Sequence, residues 1–168
     1  MIAAAVRKHA DTLTMTLDAE SDATPERVWQ LWADPRQLEH RWGPPNYPAT
    51  VKSHDLRPGG RVEYHMTGPE GEQPRVYWEI VEADRPHRLV FREGFANADG
   101  TPNSDMPLNE ARVTIAEFRD GRTRMTIQNI FPDGAAMEQL IAMGMEEGLK
   151  QAVGQIDAIL AGDAVART

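Results

Sequence analysis

The sequence predicts an α+β domain: one curved antiparallel sheet of about seven strands packed against one long C-terminal helix. Three observations carry this prediction. Apolar and polar residues alternate with period two in runs between Leu13 and Asn129, separated by turns rich in Gly, Pro and Asp. Helical signals occur in a short stretch after Thr24, repeated at Asp34-Pro35, and in a long one after Gly134. No repeat and no linker divides the 168 residues, a length that suits one core.

Residues 1–11 read as a flexible tail. Met1 to Val6 is apolar but precedes Arg7 and Lys8, the reverse of a secretory signal. Leu13, Met15 and Leu17 alternate with polar residues and predict the first strand. Thr24-Pro25 is an N-cap followed by proline at the first helical position, and Val28, Leu31 and Trp32 form the apolar face of that helix. Asp34-Pro35 repeats the signal and starts a second short helix, ended by Gly43-Pro44-Pro45. Two short helices therefore separate the first strand from the second.

Strands follow at Tyr47/Ala49/Val51, Val62/Tyr64/Met66, Val76/Trp78/Ile80 and Leu89/Phe91/Glu93/Phe95. A polar stretch from Asn97 to Asn109 predicts a long loop. Val113 and Ile115 predict a strand, Asp120-Gly121 a tight hairpin turn, and Met125, Ile127 and Asn129 the last strand. The final helix is expected as one piece of about 27 residues, Gly134 to Leu160, some ~40 Å long. Its buried stripe would carry Met137, Ile141, Gly144, Met145, Gly148, Ala152, Ile156 and Ile159, with Glu146 and Lys150 paired on the outside. Residues 162–168 read as a second tail, which leaves one domain over 12–161.

Composition narrows the function. With 18 Lys and Arg against 26 Asp and Glu the net charge is −8, which disfavours nucleic acid and anionic lipid as partners. No apolar run approaches the ~18 residues of a membrane span. Cysteine is absent, which removes thiolate nucleophiles and disulfides and fits a cytoplasmic location. The five histidines lack helical ligand spacing, and neither a phosphate loop nor a hydrolase or metalloprotease motif occurs, so no metal and no cofactor is expected.

The inward parity of the strands carries Tyr47, Tyr64, Met66, Trp78, Phe91, Phe95, Met125 and Ile127, to which the last helix adds Met137, Ile141 and Met145. These residues would line an apolar pocket or fill a core. Two polar residues share that parity, Glu93 and Asn129. A buried Glu93 would have a raised pKa and could move a proton to or from a carbonyl compound, whereas at a wet strand end it would do neither. Gly144 and Gly148 would allow close approach of the helix to the sheet or leave room for a ligand.

Local wording adds a likeness. Ala23-Thr24-Pro25-Glu26-Arg27-Val28-Trp29, Asp34-Pro35 with Arg41-Trp42-Gly43-Pro44-Pro45, and Asp55-Leu56-Arg57-Pro58-Gly59-Gly60-Arg61 are involved. With Gly144-Met145-Glu146-Glu147-Gly148 and Gln155-Ile156-Asp157, they resemble segments of the START-like, birch-pollen-allergen-type superfamily (SRPBCC). Within it the chain is similar to the branch related to the activator of the heat-shock protein 90 ATPase. Arg41 stands where that motif commonly has tryptophan. The resemblance spans about residues 12–161 and implies the helix-grip fold, a curved sheet wrapped on a long helix with a cavity between them.

Three functions follow as expectations. The first is a carrier or sensor that binds a hydrophobic small molecule in the cavity. The second is a cyclase- or aromatase-like enzyme acting on a polyketide or aromatic substrate through Glu93, Tyr64 and Asn129. The third is a co-chaperone-like module that stimulates a chaperone ATPase; the activator itself has a separate N-terminal domain that this sequence lacks. A homodimer is expected, with Met106, Pro107 and Leu108 of the long loop near its interface or the pocket mouth.

Overall fold

The computed structural model describes residues 2–42 and 46–160. The proposed end of the second helix at Gly43-Pro44-Pro45 and the tail at 162–168 lie outside the described residues. Eight strands form one antiparallel sheet: β1 (Ile2–His9), β2 (Thr14–Ser21), β3 (Ala49–His54), β4 (Arg61–Met66), β5 (Arg75–Asp84), β6 (Arg88–Ala96), β7 (Asn109–Arg119) and β8 (Arg122–Ile130). Their spatial order is β1-β2-β8-β7-β6-β5-β4-β3. Two helices, α1 (Pro25–Ala33) and α2 (Pro35–Trp42), lie between β2 and β3. The chain closes with α3 (Gly134–Ala142) and α4 (Met145–Gly154), after which residues 156–160 are again helical.

Alternation sets the sheet's two faces. Met15, Leu17, Val62, Trp78, Phe91, Val113, Met125 and Ile127 are all sequestered on the inner face, and the helices cover it. The Thr24 hydroxyl accepts from the Arg27 N–H at 3.2 Å, and Pro25 fills the first helical position. Asp133 caps α3 in the same way, accepting from the Ala136 N–H at 2.7 Å. In the β7–β8 hairpin Asp120 and Gly121 both adopt positive φ, 44° and 79°, as a tight hairpin turn requires.

Two expectations need correction. The segment read as a tail contributes β1, which pairs along β2 from Ile2↔Glu20 to His9↔Thr14 and raises the strand count to eight. Its small residues carry no period-two signature, and it forms by satisfying the open edge of β2. The last helix is not continuous. Gly144 has φ +93° and its N–H bonds the Ile141 carbonyl, three residues back, at 3.0 Å; α4 then starts afresh. The break shifts the helical phase. Gly144 is exposed, Ile141 and Met145 are half-buried, and Leu149 and Val153 take the buried positions alongside Ala152 and Ile156. Glu146 does meet Lys150, at 3.8 Å, and also Lys8 of β1, at 2.9 Å.

The Arg57–Gly60 turn pins β4 to β5. Gly59 N–H donates to the Ile80 carbonyl (2.9 Å), and the Ile80 N–H donates to the Gly60 carbonyl (3.0 Å). A Cβ on Gly60 would press on the Asp55 carbonyl oxygen and stand 2.9 Å from that of Arg57, both backbone atoms that cannot swing aside. Gly60→Ala is therefore expected to cost about 1–3 kcal/mol in urea denaturation. Gly59→Ala, with open space around the new methyl, would carry only the strain of its φ of +83°.

Candidate functional site

The inner face centres on an aromatic cluster. Trp78 of β5 stacks on Phe91 of β6 with ring centroids 4.0 Å apart and planes inclined by 17°. Trp42 of α2 and Tyr64 of β4 meet Trp78 edge-on at 5.6 and 5.7 Å. Trp32 of α1 closes the group, 6.0 Å from Trp78 and 5.2 Å from Trp42. These tilted and stacked geometries suit the ring quadrupoles. Two of the indoles are satisfied: Trp32 Nε1 donates to Met125 Sδ at 3.3 Å and Trp42 Nε1 to Tyr64 Oη at 2.8 Å.

Polar groups line up beside the rings. Antiparallel register sets Trp78 opposite Glu93, and Glu93 opposite Asn109, so one row crosses β5, β6 and β7. In that row, among the described residues, the Asn109 Oδ1 acceptor is buried without a hydrogen-bond partner, and the buried Trp78 Nε1 donor reaches no acceptor in full hydrogen-bond geometry, although the Glu93 carboxyl and the Tyr64 hydroxyl stand beside it. Glu93 as a residue retains some exposure, but its carboxyl is deep enough that burial raises its pKa to about 7, with the nearby Trp78 indole acting in the opposite direction. Burial also holds the Tyr64 phenol well above its ordinary range, reinforced by the charge of Glu93. Near neutral pH the row thus offers a donor, an acceptor and an acid poised between its two forms.

Arg41 of α2 is a further buried polar group here. It is 0 % exposed, and its guanidinium carbon lies 4.0 Å from the Trp32 ring centre and 5.2 Å from that of Trp42. In the sequence Arg41 stands out only as a departure from a motif. Asn109 ends the polar stretch that reads as a loop. Neither residue type is usually buried, so pattern gave no signal for them.

The anticipated residues divide. Tyr64, Trp78, Phe91, Met125 and Ile127 share the core, Met137 is buried with them, and Met66, Phe95, Ile141 and Met145 pack against it half-buried. Asn129 is buried on the same face, two strands from Phe91 through Ala111. Tyr47 stands apart: it precedes β3, and its hydroxyl donates to Glu72 at 2.8 Å beside the Gly68 turn. A groove of about 630 Å³ opens on the sheet's other face, where Arg7, Arg88 and Arg112 line it with Thr16, Thr114 and Thr126. Each of those arginines is already paired, with Asp18, Glu82 and Glu110 respectively. Among the described residues no group of three or more His, Asp and Glu is placed to hold a metal, and no helix is long and apolar enough to cross a membrane.

A curved antiparallel sheet gripping C-terminal helices, with polar groups set into an aromatic inner face, defines a helix-grip domain of the START-like kind. The chain belongs to the family of Activator of Hsp90 ATPase homolog 1-like proteins, whose model matches residues 22–161. The crystal structure of protein Ms6760 from Mycobacterium smegmatis is similar at 49% identity over 94% of this chain and 96% of that one, with a TM-score of 0.87. A solution structure from Arthrobacter aurescens is 41% identical over 95% of this chain and 92% of that one, with a TM-score of 0.90. DynU16, from the dynemicin biosynthetic locus, is 18% identical over 86% of this chain and 47% of its own, with a TM-score of 0.60, and shares the fold. No curated protein matches the chain.

Proposed function

We propose that the protein binds a hydrophobic small molecule between the sheet and the C-terminal helices, as a carrier or sensor. One observation carries this reading: the Trp78 donor and the Asn109 acceptor, flanking Glu93, are buried on an aromatic face, Asn109 Oδ1 with no hydrogen-bond partner among the described residues and the Trp78 indole with no bond of full geometry, only the Glu93 carboxyl and the Tyr64 hydroxyl beside it. Leaving such groups unsatisfied costs about 1–3 kcal/mol each, and a ligand oxygen or hydroxyl set among the rings would recover it. Calorimetry with 1-naphthol, an aromatic body bearing one hydroxyl, tests it. Saturable one-to-one binding that weakens in Trp78→Phe supports the reading, and absence of binding up to the solubility limit refutes it.

A second reading is favoured by Glu93, whose pKa of about 7 suits general acid–base catalysis on a polyketide or aromatic substrate. Glu93→Gln keeps the shape and removes the titrating proton. A binder would keep its affinity within a few-fold, whereas an enzyme using this acid would lose about 10²–10⁴ in turnover while still binding. The assignment extends to a cytoplasmic location and to a homodimer with the 97–109 loop near its interface or the pocket mouth, the loop's part supported by the 43% exposure of Leu108 beside Met106 and Pro107. Light scattering at the mass of one chain would refute the dimer.

A further inference from the structure

Arg41 is more costly than its packing requires. Its Nε donates to the Leu31 carbonyl at 3.1 Å, and that bond has a structural purpose. In α1 the Leu31 carbonyl would be taken by the N–H four residues on, but position 35 is proline and has none. The faces of Trp32 and Trp42 cover the guanidinium. None of this uses Nη1 and Nη2, which are buried and make no hydrogen bond among the described residues. Arg41 forms no ion pair among the described residues, and the titratable neighbour its charge acts on is the phenol of Tyr64, which is neutral near pH 7. Burial lowers the Arg41 pKa to about 9, so the side chain is still a cation at neutral pH. A methionine of similar length would fill the same space without an uncompensated charge.

Resting on the small-molecule reading above, we propose that the Nη1/Nη2 edge of Arg41 seats the carboxylate of an amphiphilic organic monoanion, whose apolar body lies along Trp32, Trp78 and Phe91. A planar guanidinium presents two parallel N–H groups that match the two oxygens of a carboxylate. One buried positive charge is neutralised by one negative charge. A phosphate dianion would leave a net charge in the same aromatic surroundings, which disfavours it. The ring contact from Trp32 to Phe91, 6.4 Å between centroids, continues the apolar path from Arg41 to the Trp78–Phe91 stack.

The test compares 4-phenylbutyrate with 4-phenylbutan-1-ol, which share an apolar body and differ in the head group. Calorimetry at pH 6 keeps Arg41 cationic and the carboxylate probe ionised, with Glu93 mostly neutral. The carboxylate should bind at least about tenfold more tightly than the alcohol. Arg41→Met should abolish that preference while leaving the alcohol's affinity within about threefold, and Arg41→Lys, which keeps the charge but loses the fork, should retain only part of it. Equal binding of the two probes to the wild type, or a preference that survives in Arg41→Met, overturns the carboxylate seat and leaves the small-molecule reading standing. Binding of neither probe overturns both. Should Arg41→Met fail to fold, the wild-type pair of titrations still decides.

Discussion

Trp78→Ala is expected to remove about 3–5 kcal/mol of folding stability, the largest loss from any one truncation on the inner face. Trp78 is 0 % exposed and touches Trp32, Trp42, Tyr64 and Phe91 at once. Truncation forfeits the transfer free energy of an indole and leaves a void bounded by four rings that are themselves held by other contacts. Trp42 is tied to Tyr64 and Trp32 to Met125, so neither can swing in to fill it. Against a total stability of about 5–15 kcal/mol, such a loss brings the variant close to unfolding at 25 °C. Urea denaturation followed by circular dichroism measures it. A loss below about 1 kcal/mol would mean that the rings around Trp78 rearrange freely and that the cluster is not packed as described.

Glu93→Gln has the opposite sign and depends on pH. The carboxyl titrates near 7 in the folded protein, against an ordinary value of 4.5. The folded state therefore holds this proton more tightly than the unfolded state does. The resulting stability is fully present below pH 4.5, is lost progressively as the pH rises towards 7, and does not return above it. Raising a carboxyl pKa by this much corresponds to about 3 kcal/mol of differential interaction. Glutamine carries no such proton. Below pH 4.5 the variant and the wild type should be nearly matched, and at pH 8 the variant should be the more stable by up to about 3 kcal/mol. Parallel stability curves for the two proteins across this range would show that Glu93 is not desolvated.

Much of the architecture was readable because it rests on local chemistry. Thr24-Pro25 and Asp120-Gly121 act within a few residues of themselves, so cap and turn are visible in the chain. Strand parity was equally legible, since period two assigns Trp78, Phe91, Glu93, Met125 and Ile127 to one face once any of them is inside. What escaped depends on distant partners. β1 exists because β2 offers it an edge, and its small residues announce nothing. The break at Gly144 follows from a left-handed backbone, whereas in a string of helix formers a glycine reads only as a small penalty.

The site was legible in outline and not in its polar detail. Pattern reasoning placed Glu93 on the inner face, but its pKa comes from burial beside rings supplied by other strands and by α1 and α2. Arg41 was hidden for the same reason. Lying on a polar helix among Arg36, Gln37 and Glu39, it reads as a solvated residue, and only the packing of Trp32 and Trp42 over it reveals a buried cation. Tyr47 shows the converse failure: alternation extended the strand by two residues beyond its actual start at Ala49.

The Trp78 indole reports most directly on whether a ligand enters the grip. Of the three tryptophans in the inner cluster, Trp32 and Trp42 already donate to Met125 and Tyr64, while Trp78 Nε1 reaches neither the neighbouring Glu93 carboxyl nor the Tyr64 hydroxyl in full hydrogen-bond geometry. Proton–nitrogen NMR spectra of the indole N–H groups, recorded during a 1-naphthol titration, read these donors separately. Binding in the grip predicts a saturable downfield shift that is largest for Trp78, the one indole that gains a hydrogen bond. An unmoved Trp78 signal at saturating 1-naphthol, or shifts confined to the outer-face groove around Thr16 and Arg112, would contradict the central claim.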